Sequence, residues 1–94
     1  MGHESAVYKA LSDPTRRSVL KHLGQGEMTA GELASKFELT APTVSHHLGV
    51  LREAGLVRVR REATTLHYSL DTTVFQDLLA ALMDLMPNNP GEKS

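Results

Sequence analysis

Apolar residues recur at helical spacing through the first half of the chain. Val7, Ala10 and Leu11 stand three and four residues apart, which predicts a short helix from Ser5 to Leu11. Ser12-Asp13-Pro14 interrupts it, and Asp13 as N-cap with Pro14 as first helical residue opens a second helix. There Val19, Leu20 and Leu23 share one face, Arg16, Arg17 and Lys21 lie largely off it, and Gly24-Gln25-Gly26 ends it. Thr29-Ala-Gly-Glu32 has the form of a capping box and starts a third helix over 30–37, presenting Leu33, Ala34 and Phe37. After a short link, Thr40 caps a fourth helix over 41–54 with Pro42 in its first turn. Val44, Leu48 and Leu51 form its core stripe, while Thr43, Ser45, His46, Gly49 and Arg52 lie off that stripe; Gly55 supplies the stop.

At Leu56 the period changes from helical to alternating. Val57 and Val59 alternate with Arg58 and Arg60, then Leu66, Tyr68 and Leu70 alternate with His67 and Ser69. The polar run Arg61-Glu-Ala-Thr-Thr65 between them makes this a β-hairpin. Asp71, Thr72 and Thr73 offer a cap for a last helix over 73–86, whose apolar residues cover more than one stripe before Pro87. The pattern predicts an α+β fold, mostly α: five helices and a two-stranded hairpin over residues 5–87, with 88–94 as a flexible tail and Met1–Glu4 as a frayed start.

Composition narrows the class. The chain has 94 residues, 40% hydrophobic and 22% charged, as an ordinary globular domain has. No apolar run approaches the ~18 residues of a membrane span and no leader pattern is present, so the expected compartment is the cytoplasm. Cysteine is absent, which excludes disulfides, thiolate metal sites and cysteine nucleophiles together. With no Trp and only two Phe and two Tyr, so short a chain has little to bury, and self-association is the natural remedy.

The net charge of −1 hides an uneven distribution. Residues 41–70 carry Arg52, Arg58, Arg60 and Arg61 against Glu53 and Glu62, a net of +2, with His46, His47 and His67 besides. Residues 71–94 carry Asp71, Asp77, Asp84 and Glu92 against Lys93, a net of −3. A polyanion would meet the middle of the chain and avoid its end.

Two short helices, each opened by a Thr cap and joined by a few residues, have helix-turn-helix spacing. The second needs small or polar side chains near its N-terminus to enter a major groove, and Thr40, Ala41, Pro42, Thr43, Ser45 and His46 supply them. The Arg-bearing hairpin that follows is placed like a wing, with Arg60 and Arg61 able to lie along the DNA backbone or in the minor groove.

The run Leu11-Ser-Asp-Pro-Thr-Arg-Arg17 followed by Val19-Leu20 resembles the opening signature of ArsR-type winged-helix repressors. Thr43-Val-Ser-His-His-Leu48, Leu51-Arg-Glu-Ala-Gly-Leu-Val57, Arg60-Arg61 and His67-Tyr-Ser-Leu70 are similar to that family's recognition helix and wing, so the resemblance covers roughly residues 6–70. Asp71-Thr-Thr-Val-Phe-Gln-Asp77 resembles the subgroup typified by the autorepressor of a sporulation-delaying toxin system. The resemblance implies a homodimer that binds double-stranded operator DNA and represses transcription, with dimer contacts from the first and last helices. It places DNA contacts at Thr40, Ala41, Pro42, Thr43, Ser45, His46, His47, Arg52, Arg60, Arg61 and Thr64. It places dimer contacts at Val7, Leu11, Phe75, Leu78, Leu79, Leu82, Met83 and Met86.

The departures narrow it further. Many relatives sense metals through a Glu-Leu-Cys-x-Cys pattern; here the stretch is Glu32-Leu-Ala-Ser-Lys36, with Ala34 and Lys36 in place of both thiolates. A second family site pairs Asp with His on the last helix, and this chain has Asp77 and Asp84 there but no His after His67. No metal or other cofactor is therefore expected. The wing tip is Glu62-Ala63-Thr64 where relatives often carry Gly, and because positive φ is costly for Ala the expectation is a turn that avoids it. Ser45, His46 and Asp77 are the residue types of a hydrolytic triad, but neighbours on one helix do not present a Ser to its base, so no enzyme is expected. The competing readings are a winged helix used only for protein interaction, and a metal-responsive repressor using His and carboxylate ligands alone. His47, on the border of the apolar stripe, is as compatible with packing as with DNA contact. Arg16 and Arg17 could reach phosphates, although pairing with Asp13 or another helix's carboxylate is the expected role of at least one.

Overall fold

Proline has no backbone N–H to lose, so it begins a helix at little cost. In the computed structural model, which describes residues 2–87, Pro14 is the first residue of α2 (Pro14–Leu23) and Asp13 its N-cap. The Asp13 carboxylate accepts the Arg16 backbone N–H at 3.0 Å. The preceding helix, α1 (Gly2–Leu11), begins at Gly2 rather than at Ser5, because its first residues contribute no apolar period to betray them. The tail expected at 88–94 lies outside the described residues.

The junction of α1 and α2 is held by arginines. The last carbonyls of a helix have no partner within it and carry partial negative charge. Arg16, only 8% exposed, donates from Nε to the Ala10 carbonyl at 2.8 Å and from Nη2 to the Lys9 carbonyl at 2.9 Å. Arg17 donates from Nη1 to the Leu11 carbonyl at 2.8 Å. The expected carboxylate pairing is thus corrected. Asp13 takes the backbone amide of Arg16, and both guanidinium groups go to the end of α1.

The helix pair α3 (Ala30–Phe37) and α4 (Ala41–Glu53) forms as its capping residues predict. Thr29 and Glu32 close the capping box, Thr29 N–H to Glu32 Oε1 at 2.8 Å and Glu32 N–H to Thr29 Oγ1 at 3.1 Å. The turn is a Schellman motif, with the Leu39 N–H on the Ala34 carbonyl at 3.0 Å and the Glu38 N–H on the Ser35 carbonyl at 3.4 Å. Glu38 occupies its left-handed position at φ 55, a place that usually takes Gly. A second Schellman motif ends α4, Leu56 N–H to Leu51 carbonyl at 3.0 Å and Gly55 N–H to Arg52 carbonyl at 2.9 Å, with Gly55 at φ 79. Leu51 and Leu56, the apolar pair of that motif, are both fully buried.

Strands β2 (Val57–Glu62) and β3 (Thr65–Leu70) form the expected hairpin, in register Val59↔Tyr68 and Arg60↔His67. A third strand, β1 (Met28–Thr29), pairs with the other edge of β3, giving the order β1-β3-β2. Two residues are too few to show alternation, and Thr29 was legible only as a cap. The two-residue tip places Ala63 at φ 58, so the turn expected to avoid positive φ is not the one adopted. The register Glu62↔Thr65 leaves only Ala63 and Thr64 to reverse the chain, and a reversal that short calls for positive φ.

The core collects Val7 and Ala10 of α1, Val19, Leu20 and Leu23 of α2, Leu33 of α3, Val44, Leu48 and Leu51 of α4, then Ala54, Leu56 and Val57. Helix α5 (Thr72–Leu85), capped by Asp71 Oδ1 on the Thr73 N–H at 3.0 Å, adds no buried residue. It leans on the core through Val74, Phe75 and Leu78 alone.

Replacing Arg16 with Ala takes the guanidinium donor from the Ala10 carbonyl in a buried junction, while the Lys9 carbonyl keeps the Ser12 N–H and hydroxyl, and should lower stability by ~1–3 kcal/mol in urea titrations. Ala63→Gly relieves the left-handed backbone at the tip and should raise stability by about 0.5–1 kcal/mol in the same measurement.

Candidate nucleic-acid interface

The N-terminus of α4 is exposed and bears positive partial charge that no acidic residue of its first turn offsets. Thr40 caps it, its Oγ1 accepting the Thr43 N–H at 3.3 Å and donating to Thr43 Oγ1 at 2.9 Å. The Thr40 hydroxyl proton is therefore spent, while the Thr43 hydroxyl keeps its own proton for an external acceptor. Ala41, Pro42, Thr43, Ser45 and His46 are all exposed around this end, and Arg52 is exposed in the last turn. His47 turns the other way. It is half-buried, with Nδ1 3.3 Å from Arg16 Nη1. A guanidinium only donates, so Nδ1 is the acceptor and the ring proton sits on Nε2. His47 thereby joins α4 to the same arginine that caps α1.

The wing root is an ionic clasp. Arg60 forks onto Glu27, Nη2 to Oε1 at 2.7 Å and Nε to Oε2 at 3.2 Å, while its Nη1 reaches Glu62 Oε1 at 3.2 Å. His67, opposite Arg60 across the strands, lies 3.9 Å from Glu27 Oε1 through Nδ1 and 3.5 Å from Glu62 Oε1 through Nε2. Arg58 pairs with Asp71 at 3.6 Å. Arg52 and Arg61, by contrast, are exposed and form no ion pair among the described residues, and Thr64 is exposed at the tip. Of the wing's two adjacent arginines, Arg60 is engaged within the chain and Arg61 pairs with no carboxylate among the described residues. Glu27 had no sequence signal, since it falls in a link with no periodicity and meets Arg60 only because β1 pairs with β3.

The residues expected at a dimer contact divide by exposure. Val7 is 4% exposed and belongs to the chain's own core, while its neighbour Tyr8 is 62% exposed. Leu11, Phe75 and Leu78 are half-buried against the core. Leu79, Leu82, Met83 and Met86 stand out from α5 with more than half of each surface exposed, and Leu85 reaches 79%. So long an apolar strip is unusual on a chain that remains alone in water.

The Arg60 hydrogen bonds hold the Glu27 carboxyl below its ordinary range, and the Arg16 backbone N–H does the same for Asp13. A carboxylate depressed in the folded chain contributes stability above its unfolded pKa and loses it as pH falls toward the folded value. The folded chain should therefore weaken progressively below about pH 5. Glu27→Gln should flatten that acid limb in denaturant titrations run at stepped pH, with little change in its shape above neutrality.

A helix-turn-helix domain family matches residues 11–60, from the end of α1 into β2. The transcriptional repressor SdpR of Bacillus subtilis is 42% identical over 80 residues, covering 85% of this chain and 89% of SdpR. The transcriptional activator HlyU of Vibrio cholerae is 38% identical over 76 residues, covering 81% of this chain and 70% of HlyU. Among solved structures, the ArsR family transcriptional regulator RHA00566 superposes with a TM-score of 0.81 at 29% identity, covering 87% of this chain and 90% of the other. These similar proteins are regulators of transcription rather than enzymes. The chain belongs to the ArsR-type winged helix-turn-helix family of DNA-binding transcriptional regulators.

Proposed function

We propose that this regulator is a homodimeric repressor that works in the cytoplasm on an inverted-repeat operator, its own promoter included. The observation that carries the reading is the exposed N-terminal half of α4, polar and unopposed by acidic residues, on a chain whose last helix leaves an apolar strip uncovered. Two copies joined through α1 and α5 would present two recognition helices, and operator half-sites about 34 Å apart match successive major grooves. Similarity to the repressor SdpR supports repression as the direction of control.

Within that reading each element has its own kind of energy. Thr43, Ser45 and His46 read base edges, with Ala41 and Pro42 letting the helix end approach closely. Thr40 holds the helix start, and Arg52, Arg61 and Thr64 meet the phosphate backbone. Arg60 positions the wing through Glu27 and Glu62, and His47 positions α4 through Arg16.

The dimer is tested by sedimentation. The wild-type chain should have twice the 10.3 kDa mass at micromolar concentration, and Leu79→Glu with Leu82→Glu should return it to one chain and abolish operator binding. A wild-type mass of one chain refutes the dimer.

Base reading is tested on DNA from upstream of the coding region and on random duplex. Ser45→Ala or His46→Ala should cost ~1–3 kcal/mol on the operator and much less on random DNA. Arg61→Ala should weaken both alike and reduce the salt slope by about one. Absence of salt-dependent binding to any duplex would favour a module used only for protein interaction.

A further inference from the structure

Gly49 has no explanation inside the chain. It lies in the interior of the 13-residue α4, where Gly costs roughly 0.5–1 kcal/mol against Ala. From Gly24 to Gly55 it is the one glycine with neither a positive φ nor, beyond its own helix backbone, any atom of the described residues within 4 Å of where a Cβ would sit. Neither backbone conformation nor packing calls for it. Its surroundings point outward: Gly49 lines a shallow open depression with Ser45, His46, Val50 and Arg52 of α4, and Lys9 of α1 enters the same depression from the neighbouring helix. Lys9 and Arg52 are fixed cations, both exposed and without ion pairs among the described residues, against the single carboxylate of Glu53.

Distance along the helix fixes what should meet this depression. At 1.5 Å per residue Gly49 lies ~12 Å from Ala41, beyond the ~8.5 Å depth of the major groove. A helix that enters the groove by its N-terminus therefore reaches the groove edge at Gly49, where the phosphodiester backbone runs. We propose that the depression floored by Gly49 and edged by Lys9 and Arg52 is a seat for that backbone, and that Gly49 sets how closely the recognition helix approaches DNA. The inference deepens the DNA-binding reading and rests on it. Lys9 extends the DNA surface onto α1, outside the helix-turn-helix and wing. The positive lining favours a polyanion over a second copy of the chain, whose apolar strip lies on α5.

Stability and affinity separate the seat from a purely structural role. Gly49→Ala should raise the thermal midpoint by a few degrees, because Ala is the better helix former and has open space. The same variant should bind a 30-base-pair random-sequence duplex at least about fivefold more weakly, since phosphate contacts are independent of sequence. Lys9→Gln should leave the midpoint unchanged and reduce the slope of log affinity against log salt by about one. Wild-type affinity in Gly49→Ala, or a wild-type slope in Lys9→Gln, overturns the seat while leaving the DNA reading intact. A wild-type chain that binds no duplex overturns that reading and the seat together. A change in sedimentation mass of Gly49→Ala without DNA assigns the depression to a second copy and overturns the proposal.

Discussion

The guanidinium of Arg16 is the interaction on which the arrangement of helices depends. It is buried, and a buried cation persists only where its donors are used. Here they meet the carbonyls of Lys9 and Ala10 at the end of α1 and the Nδ1 of His47 on α4. One side chain from α2 thus satisfies the end of one helix and fixes the rotation of another. Rotation matters because the stripe of Val44, Leu48 and Leu51 must face the core if Ser45 and His46 are to face outward. Asp13, by holding the backbone of Arg16, anchors the start of the helix that carries this guanidinium.

The wing follows a different economy. Its strands bury one face weakly and reach into solvent, so their position relies on charge as well as packing. The fork from Arg60 to Glu27 ties β2 across β3 to the segment entering β1, which in turn opens α3 through the Thr29 capping box. Hairpin and helix-turn-helix are mechanically one unit by this route. Surface ion pairs are individually weak, but a two-pronged fork constrains direction even where it adds little to stability.

Helix α5 shows the limit of a chain this size. Its polar start is capped and its Val74, Phe75 and Leu78 lean on the core, yet Leu79, Leu82, Met83, Leu85 and Met86 are left more than half exposed among the described residues. The apolar surface exceeds what one small subunit encloses, as surface-to-volume scaling leads one to expect.

The sequence by itself determined the helices, their caps and the hairpin. Asp13-Pro14, the Thr29–Glu32 box, Thr40, Gly55 and Asp71 act within one turn of chain, and local signals of that range are written in neighbouring residues. The polar face of α4 was legible for the same reason, since its core stripe is periodic. The motif residues from Leu11 to Leu70 carried the family. Tertiary structure alone decided that Arg16 and Arg17 cap α1, that His47 turns toward Arg16, and that β1 joins the sheet. It also decided that Ala63 accepts positive φ and that Arg60 is held by Glu27 while Arg61 forms no ion pair among the described residues. Each of these depends on a partner distant in sequence or on a register that only the closed sheet fixes. A side chain's charge is set by its own residue type, but which donor or acceptor it meets is set by what the fold brings within about 3 Å of it.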